Sequence, residues 1–370
     1  MSTIKVLHVI ARMNVGGTAR YVGDLVQNIP NSALATGYVQ GSEIEDPVVI
    51  KINPHRIPHM GRAISPFNDF KAWLELRKLI NEIKPEIVHT HTFKAGLLGR
   101  LIGGNHKRVH TFHGHLFDDQ SFSPIEKMVI TFSERYLAKR TDVLISVGER
   151  VGQDLRASGI GPNKKWVSIA PGVQALPKID KSKAREVLGL NPNVFLVGWM
   201  ARMTGVKNPL MALDVAKKLP DVQFVMAGGG NLLELVAKSA PANVAVIGWT
   251  DASLFWSAVD CALSTSDNEG MPIALIEAQQ ASKPVIATDV GSNSEVIVNG
   301  ATGIVVPKDL DSLVSAVQQL AKNQKQRLEM GQAAKLWALQ QFSVDRMLIK
   351  HEENYSKLLM KANPQRGDAY

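Results

Sequence analysis

Only one cysteine, Cys261, occurs in 370 residues. That excludes a disulfide framework and any multi-cysteine zinc site, and it makes a reducing, cytoplasmic setting the simplest expectation. No apolar run reaches the ~18 residues a membrane-spanning helix needs. The opening Met1-Ser2-Thr3-Ile4-Lys5 lacks the charged-then-apolar layout of a signal peptide. Aromatic residues make up 6%, and no compact Lys/Arg cluster is interleaved with them, so nucleic acid is not the expected partner. Repeats of 20–50 residues and low-complexity tracts are lacking as well. With 45% apolar and 21% charged residues, the composition is that of an ordinary globular protein, and disorder is excluded.

What is present is a modest basic surplus and a repeating pattern. Forty-two basic residues against 34 acidic ones give a net charge of +8. That charge suits an anionic ligand, a nucleic acid or an acidic membrane surface and does not choose among them. Short β-branched apolar runs predict strands at 4–11, 87–92, 108–113, 143–147 and 166–170. The series restarts at 194–200, 222–227, 244–247, 262–264, 285–288 and 303–306. Helical periodicity falls between them, for example at 20–29, 70–83, 123–138, 209–218 and 310–322. Continuous apolar strands alternating with helices predict parallel sheets covered on both faces, and two series predict two doubly wound α/β domains. Gly and Pro at Ala170-Pro171-Gly172 set the expected boundary: 1–172, then 173–343. A last helix from about 344 to 359 is expected to pack back on the first domain, with a polar, frayed tail at 363–370.

In such sheets ligands sit beyond the carboxyl ends of the strands. Three loops there carry the candidate chemistry. The first is Met13-Asn14-Val15-Gly16-Gly17-Thr18. Its glycines let backbone approach a ligand and expose N–H groups at a helix start. It is not a full G-x-G-x-x-G, so a dinucleotide is not implied. The second is Ala201-Arg202-Met203-Thr204-Gly205-Val206-Lys207-Asn208-Pro209. Asn208 reads as an N-cap and Pro209 as the first helical residue. Arg202 and Lys207 would then flank a positive helix end, a diphosphate site that needs no metal. The third runs from Asn268 to Glu277. Here Pro272 is expected in the first helical turn, Glu269 in the loop before it and Glu277 about one and a half turns in. The N–H groups of Gly270, Met271 and Ile273 would be free to meet phosphates.

Glu269 and Glu277 have seven residues between them. Gly270 follows the first directly, and Pro272 comes next but one. This pattern resembles the signature of the retaining family 4 glycosyltransferases. Gly16-Gly17, Arg202 with Lys207, and Pro284-Val285-Ile286-Ala287-Thr288 followed by Gly291 and Glu295 match further family motifs in order. The resemblance spans almost the whole chain. It implies the GT-B fold: two Rossmann-like domains facing across a cleft, the first binding acceptor and the second a nucleotide-diphosphate sugar, with a C-terminal helix crossing back. It also implies a retaining, metal-independent enzyme with no cofactor, a UDP-sugar being the favoured donor. Glu277 would hold the ribose, Glu269 would lie by the sugar, and Arg202 and Lys207 would hold the diphosphate. His113, in Thr111-Phe112-His113-Gly114-His115, matches a family histidine beside the reacting sugar. The chain departs from the family pattern at Gly291-Ser292, Ser282-Lys283-Pro284 and Pro171-Gly172, which affects turns more than chemistry.

A glycan or lipid-linked acceptor is expected on the first domain. The stripe Leu97, Leu98, Leu101 and Ile102, followed by His106, Lys107 and Arg108, gives the one sequence hint of peripheral contact with an anionic membrane. His89, His91 and His115 crowd near His113. The spacing His89-Thr90-His91 is expected to splay the first two rings to opposite faces, so no metal site is expected. The alternatives are a nucleotide-sugar epimerase of the same fold, which needs no acceptor, and a non-catalytic nucleotide-sugar-binding protein.

Overall fold

The structure is a computed structural model, and it describes residues 5–41, 43–61, 65–114 and 123–360. These divide into two compact units, one within Met1–Gly172 together with Val344–Tyr370, the other Val173–Ser343. His115, Ile4 and the 363–370 tail lie outside the described residues.

The first unit begins β1 (Val6–Ile10), α1 (Gly17–Asn28), β2 (Ser32–Thr36), α2 (Val48–Ile52), β3 (His55–Arg56) and α3 (Pro66–Ile83). It continues β4 (Ile87–His91), α4 (Phe93–Leu101), β5 (Lys107–Phe112), α5 (Pro124–Lys139), β6 (Val143–Ser146), α6 (Glu149–Ala157) and β7 (Lys165–Ser168). The seven strands are all parallel, in the order β3-β2-β1-β4-β5-β6-β7.

The second unit holds α7 (Lys181–Val187), β8 (Leu196–Met200), a 3₁₀ turn (Gly205–Lys207), α8 (Pro209–Lys218), β9 (Gln223–Ala227), α9 (Leu233–Ser239) and β10 (Val244–Gly248). Then come α10 (Ala252–Ala258), β11 (Cys261–Ser264), α11 (Ile273–Gln280), β12 (Val285–Thr288), α12 (Asn293–Val296), β13 (Gly303–Val306), α13 (Leu310–Lys322) and α14 (Gln324–Gln341). Its six parallel strands run β10-β9-β8-β11-β12-β13. The last described helix, α15 (Val344–Met360), packs in the first unit against α1.

The predicted strands appear within a residue or two of their expected bounds. β2 and β3 were not foreseen: Ser32-Ala33-Leu34-Ala35-Thr36 is short and weakly apolar, and β3 has two residues. The central strands are buried on both faces, as parallel sheets require. Strand order reverses between β1 and β4 in the first sheet and between β8 and β11 in the second. These are the topological switch points, where loops diverge and leave room for a ligand.

The stripe at Leu97, Leu98, Leu101 and Ile102 is not a membrane face. Leu98 and Ile102 lie in the core with Leu7, Val9 and Leu76, and the other two are half-buried. Helical periodicity marks a face for burial but cannot say against what.

Candidate active site

In the second unit, the loops after β8 and β11 are tied together at the switch point. The Trp199 indole N–H donates to Thr265 Oγ1 (3.0 Å), and the Thr265 hydroxyl donates to the Asn208 carbonyl (2.8 Å). The Asp267 N–H donates to the Val206 carbonyl (2.8 Å). Asn208 caps α8: its side chain accepts from the Met211 N–H, and Pro209 is the first helical residue. Gly228 and Gly230, at the end of β9, press on the same loop. A Cβ at Gly228 would lie 1.9 Å from the Ala201 carbonyl oxygen, and one at Gly230 2.4 Å from that of Met203.

This scaffold places Lys207 beside Glu269. The ammonium lies 2.6 Å from Glu269 Oε2, and the Ser266 hydroxyl donates to Oε1 at 2.7 Å. Glu269 is buried and Lys207 half-buried. Arg202 is exposed on the same loop, and among the described residues no side chain pairs with its guanidinium. Thus one cation of the expected pair is already engaged by a carboxylate, while the other is available.

Pro272 is the N-cap of α11, in extended conformation, one residue earlier than expected. A ring locked near φ −65° suits either position. Among the described residues, the N–H groups of Gly270, Met271 and Ile273 donate to no acceptor. Glu277 is the fifth residue of α11. It is buried, with the Trp256 indole nitrogen 3.5 Å from Oε2. Gly291 has φ +48° and carries no Cβ because one would sit 1.8 Å from the Glu269 carbonyl oxygen.

In the first unit, Gly16 (φ 152°) is the N-cap of α1 and Gly17 its first residue. The loop is held by the segment at Ile44–Asp46, through Val15 N–H to Ile44 and Asp46 N–H to Met13. His113 follows β5, edge-on to Tyr21 with ring centroids 4.9 Å apart. Its Nε2 lies 3.2 Å from His91 Nδ1, and His91 Nε2 lies 3.2 Å from His8 Nδ1. Burial pushes the His8 and His113 imidazoles down to about 3, and His89, His91, His110 and His351 in the same direction, so the cluster is neutral at pH 7. Among the described residues His8 Nε2 has no partner. A bare lone pair is better tolerated in a core than an orphaned N–H. The chain therefore runs from His8 Nδ1–H to His91 and from His91 Nδ1–H to His113, which leaves the His113 proton on Nδ1. Thr92, directly after β4, has φ 67° and ψ 159°, a strained backbone for a β-branched residue.

The expected splaying of His89 and His91 is overturned. Residues two apart on a strand share a face, and the two ring centroids lie 4.1 Å apart. Ring nitrogens of His8, His89 and His91 come within 4.8 Å of one another, a spacing from which a metal could be held. The His89 nitrogens, however, already meet hydroxyls, Tyr355 at 2.6 Å and Thr111 at 2.7 Å. The site's other unforeseen members were Tyr21, His351 and Tyr355, the Tyr21 hydroxyl lying 2.6 Å from His351 Nε2. They come from distant segments, and only the aromatic spacing in α15 hinted at them. The glycine run 228–230 after β9 is the local sequence signal of that close approach to the loop after β8.

Two parallel doubly wound sheets, the second with a charged pair of loops at its switch point, are the architecture of GT-B glycosyltransferases. Residues 180–337 match the family model for glycosyl transferases group 1, and residues 16–172 match that for the glycosyl transferase 4-like domain. The chain belongs to the family 4 glycosyltransferases. It is similar to the UDP-Gal:alpha-D-GlcNAc-diphosphoundecaprenol alpha-1,3-galactosyltransferase of Escherichia coli, 28% identical over 85% of this chain and 87% of that protein. It is also 28% identical to the GDP-mannose-dependent alpha-(1-6)-phosphatidylinositol monomannoside mannosyltransferase of Mycolicibacterium smegmatis, over 86% and 88% of the two chains. Among solved structures it resembles Anabaena Alr3699/HepE in complex with UDP and glucose, with TM-score 0.80, 17% identity, and 96% and 100% of the chains covered. That likeness establishes the fold.

Proposed function

We propose that this chain transfers a hexosyl group from a UDP-sugar to a hydroxyl of a lipid-diphosphate-linked or other glycan acceptor, with retention of configuration and without a metal. The observation that carries the reading is the Arg202–Lys207–Glu269 constellation at the β8/β11 switch point, beside the unpartnered N–H groups of Gly270, Met271 and Ile273. Relatives include O-antigen and capsular polysaccharide glycosyltransferases, and the Escherichia coli galactosyltransferase is named for a UDP-Gal donor and an alpha-D-GlcNAc-diphosphoundecaprenol acceptor. Another uses GDP-mannose, so the base rests on the UDP-using relative.

The proposed chemistry follows from charge. As the C1–oxygen bond to the diphosphate lengthens, negative charge grows on the leaving oxygen and positive charge on the sugar ring. Arg202 and the N–H groups before α11 stabilise the first, joined by Lys207 once donor phosphate competes for its ammonium. The Glu269 carboxylate, released from that pair, stabilises the second. The acceptor oxygen forms its bond to C1 on the face the diphosphate leaves, and its proton passes to the departing phosphate oxygen. Glu277 holds the ribose hydroxyls, and His113 donates to the sugar from Nδ1. Gly16 and Gly17 offer backbone N–H groups to the substrate. The protein adds no nucleophile, so its contribution is positioning and electrostatics.

The experiment pairs UDP-hexoses with a short polyprenyl-diphosphate GlcNAc acceptor, with and without chelator. Acceptor-dependent UDP release that survives chelation, and an α-linked product from an α-linked donor, are expected. Conversion of donor without acceptor would make it an epimerase. UDP binding without any turnover of these donors would leave a binding protein, and loss of turnover with chelator would end the metal-free reading.

A further inference from the structure

Glu269 has both carboxylate oxygens engaged, and its two partners differ in kind. Lys207 meets Oε2 at 2.6 Å, and the Ser266 hydroxyl donates to Oε1 at 2.7 Å. Lys207 is a half-buried ammonium on a flexible four-carbon stem, and a phosphate can draw it away. Ser266 is 2% exposed, and its hydroxyl sits one carbon from the backbone, so it stays where the backbone puts it.

That backbone is clamped on each side. Thr265 is tied to the Trp199 indole and the Asn208 carbonyl, and the Asp267 N–H donates to the Val206 carbonyl. The Ser266 carbonyl accepts from the Thr288 hydroxyl at the end of β12 (2.7 Å). The Ser264 hydroxyl donates to Ser266 Oγ at 3.3 Å, which directs the Ser266 proton at Glu269. Ser264, Ser266 and Thr288 are all buried. Ties from β8, β11 and β12 thus fix one hydroxyl. A group whose own partners are fixed can hold a charged neighbour in productive geometry.

We propose that Ser266 is a positioning residue for sugar transfer: it retains Glu269 Oε1 when donor phosphate takes Lys207, and so presents the freed Oε2 to the sugar ring. The inference rests on the donor reading given above. Without this hydroxyl the carboxylate turns about its last bonds, and its charge is spread over orientations that miss the ring.

The test compares Ser266→Ala with the wild type, using the UDP-hexose that the wild type transfers and the polyprenyl-diphosphate GlcNAc acceptor. The kcat should fall about 10- to 100-fold, the effect of one charge-assisted hydrogen bond. The donor KM and the calorimetric affinity for UDP should stay within about twofold, which also reports that the variant is folded. Ser266→Thr keeps the hydroxyl and should recover most of the lost kcat. In a Glu269→Ala background, Ser266→Ala should lower turnover no further. A Ser266→Ala enzyme with wild-type kcat would overturn the proposal. So would a loss of UDP affinity that matches the loss of turnover, or a loss of turnover that persists undiminished beside Glu269→Ala, since the hydroxyl would then serve the fold or the phosphates. A wild-type protein that turns over no UDP-hexose would instead bring down the donor reading, and this inference with it.

Discussion

Replacing Lys207 by alanine separates what the lysine does for the fold from what it does for the ligand. Its ammonium lies 2.6 Å from a carboxylate that is 8% exposed. With the lysine gone, Glu269 keeps only the Ser266 hydroxyl as a side-chain partner among the described residues. A nearly buried charged acceptor deprived of its donor costs about 1–3 kcal/mol. Glu269→Gln in the same background removes the charge and should return most of that loss, a coupling of about 1–2 kcal/mol. The ligand responds differently. A charge-assisted hydrogen bond to the diphosphate is worth about 1.5–3 kcal/mol, so Lys207→Ala should weaken UDP binding about 10- to 100-fold. Glutamine at 269 supplies no cation and cannot restore it. Denaturant unfolding followed by tryptophan fluorescence, with Trp199 and Trp256 buried in the second unit, reads the first quantity, and calorimetry with UDP reads the second. Equal instability of the single and double variants would refute the ion-pair argument. Recovery of UDP affinity in the double variant would refute the assignment of Lys207 to the diphosphate.

Three further outcomes are expected. His8 has its pKa lowered to about 3 by burial, against 6.5 in an unfolded chain, so the unfolded state binds its proton first as pH falls. Stability of the first unit should be full above pH 6.5 and decline toward pH 3, by about 2 kcal/mol at pH 5 from His8 alone; a flat unfolding free energy between pH 7.5 and 5 would contradict this. Arg100 and Glu134 are fully buried, with Nη2 2.7 and 2.8 Å from the two carboxylate oxygens, so Glu134→Ala should cost about 3–5 kcal/mol in urea unfolding. Arg100→Leu/Glu134→Leu should lose much less, and equal losses would refute an uncompensated charge as the cause. Gly291→Ala should cost more than about 1 kcal/mol and weaken UDP binding by displacing Glu269, whereas Gly103→Ala, which meets nothing within 4 Å, should stay within about 0.5 kcal/mol.

The alternation of apolar runs and helices was legible because both faces of a parallel sheet are dry, so central strands such as β1, β6 and β11 are largely apolar. Strands at and next to the edge escape that rule. β2 and β3 are short and only weakly apolar, and β2 pairs with β1 while β3 pairs with β2 at the edge of the sheet. The α4 stripe misled for the converse reason. Leu98 and Ile102 of that stripe go into the core, while Leu97 and Leu101 stay half-buried. α5, which exposes more apolar surface, has the same kind of sequence pattern, with the burial of its two faces decided by what α4 leaves uncovered. Period tells which residues travel together; only tertiary packing says which set meets water.

The chemistry-bearing loops were legible where one segment holds both the turn residue and the charge. Asn208-Pro209 after Lys207 is such a segment, and so is Glu269-Gly270 before Pro272. What joins those segments was not. The Lys207–Glu269 pair spans 62 positions and depends on Gly291, whose missing side chain leaves room for the Glu269 carbonyl. The histidine cluster shows a different limit. His89 and His91 were visible, and a period of two should have put them on one face. Their neighbours could not be foreseen, since Tyr21 reaches His351 across 330 positions and His89 reaches Tyr355 across 266. Those hydroxyls give the buried imidazoles their hydrogen-bond partners, and His8 Nε2, left without one, sets the direction of the chain that ends at His113. The proton that His113 offers is thus fixed by a residue on β1. A histidine's place in a motif can suggest that it touches a substrate, but the atom it presents is set by partners that no motif contains.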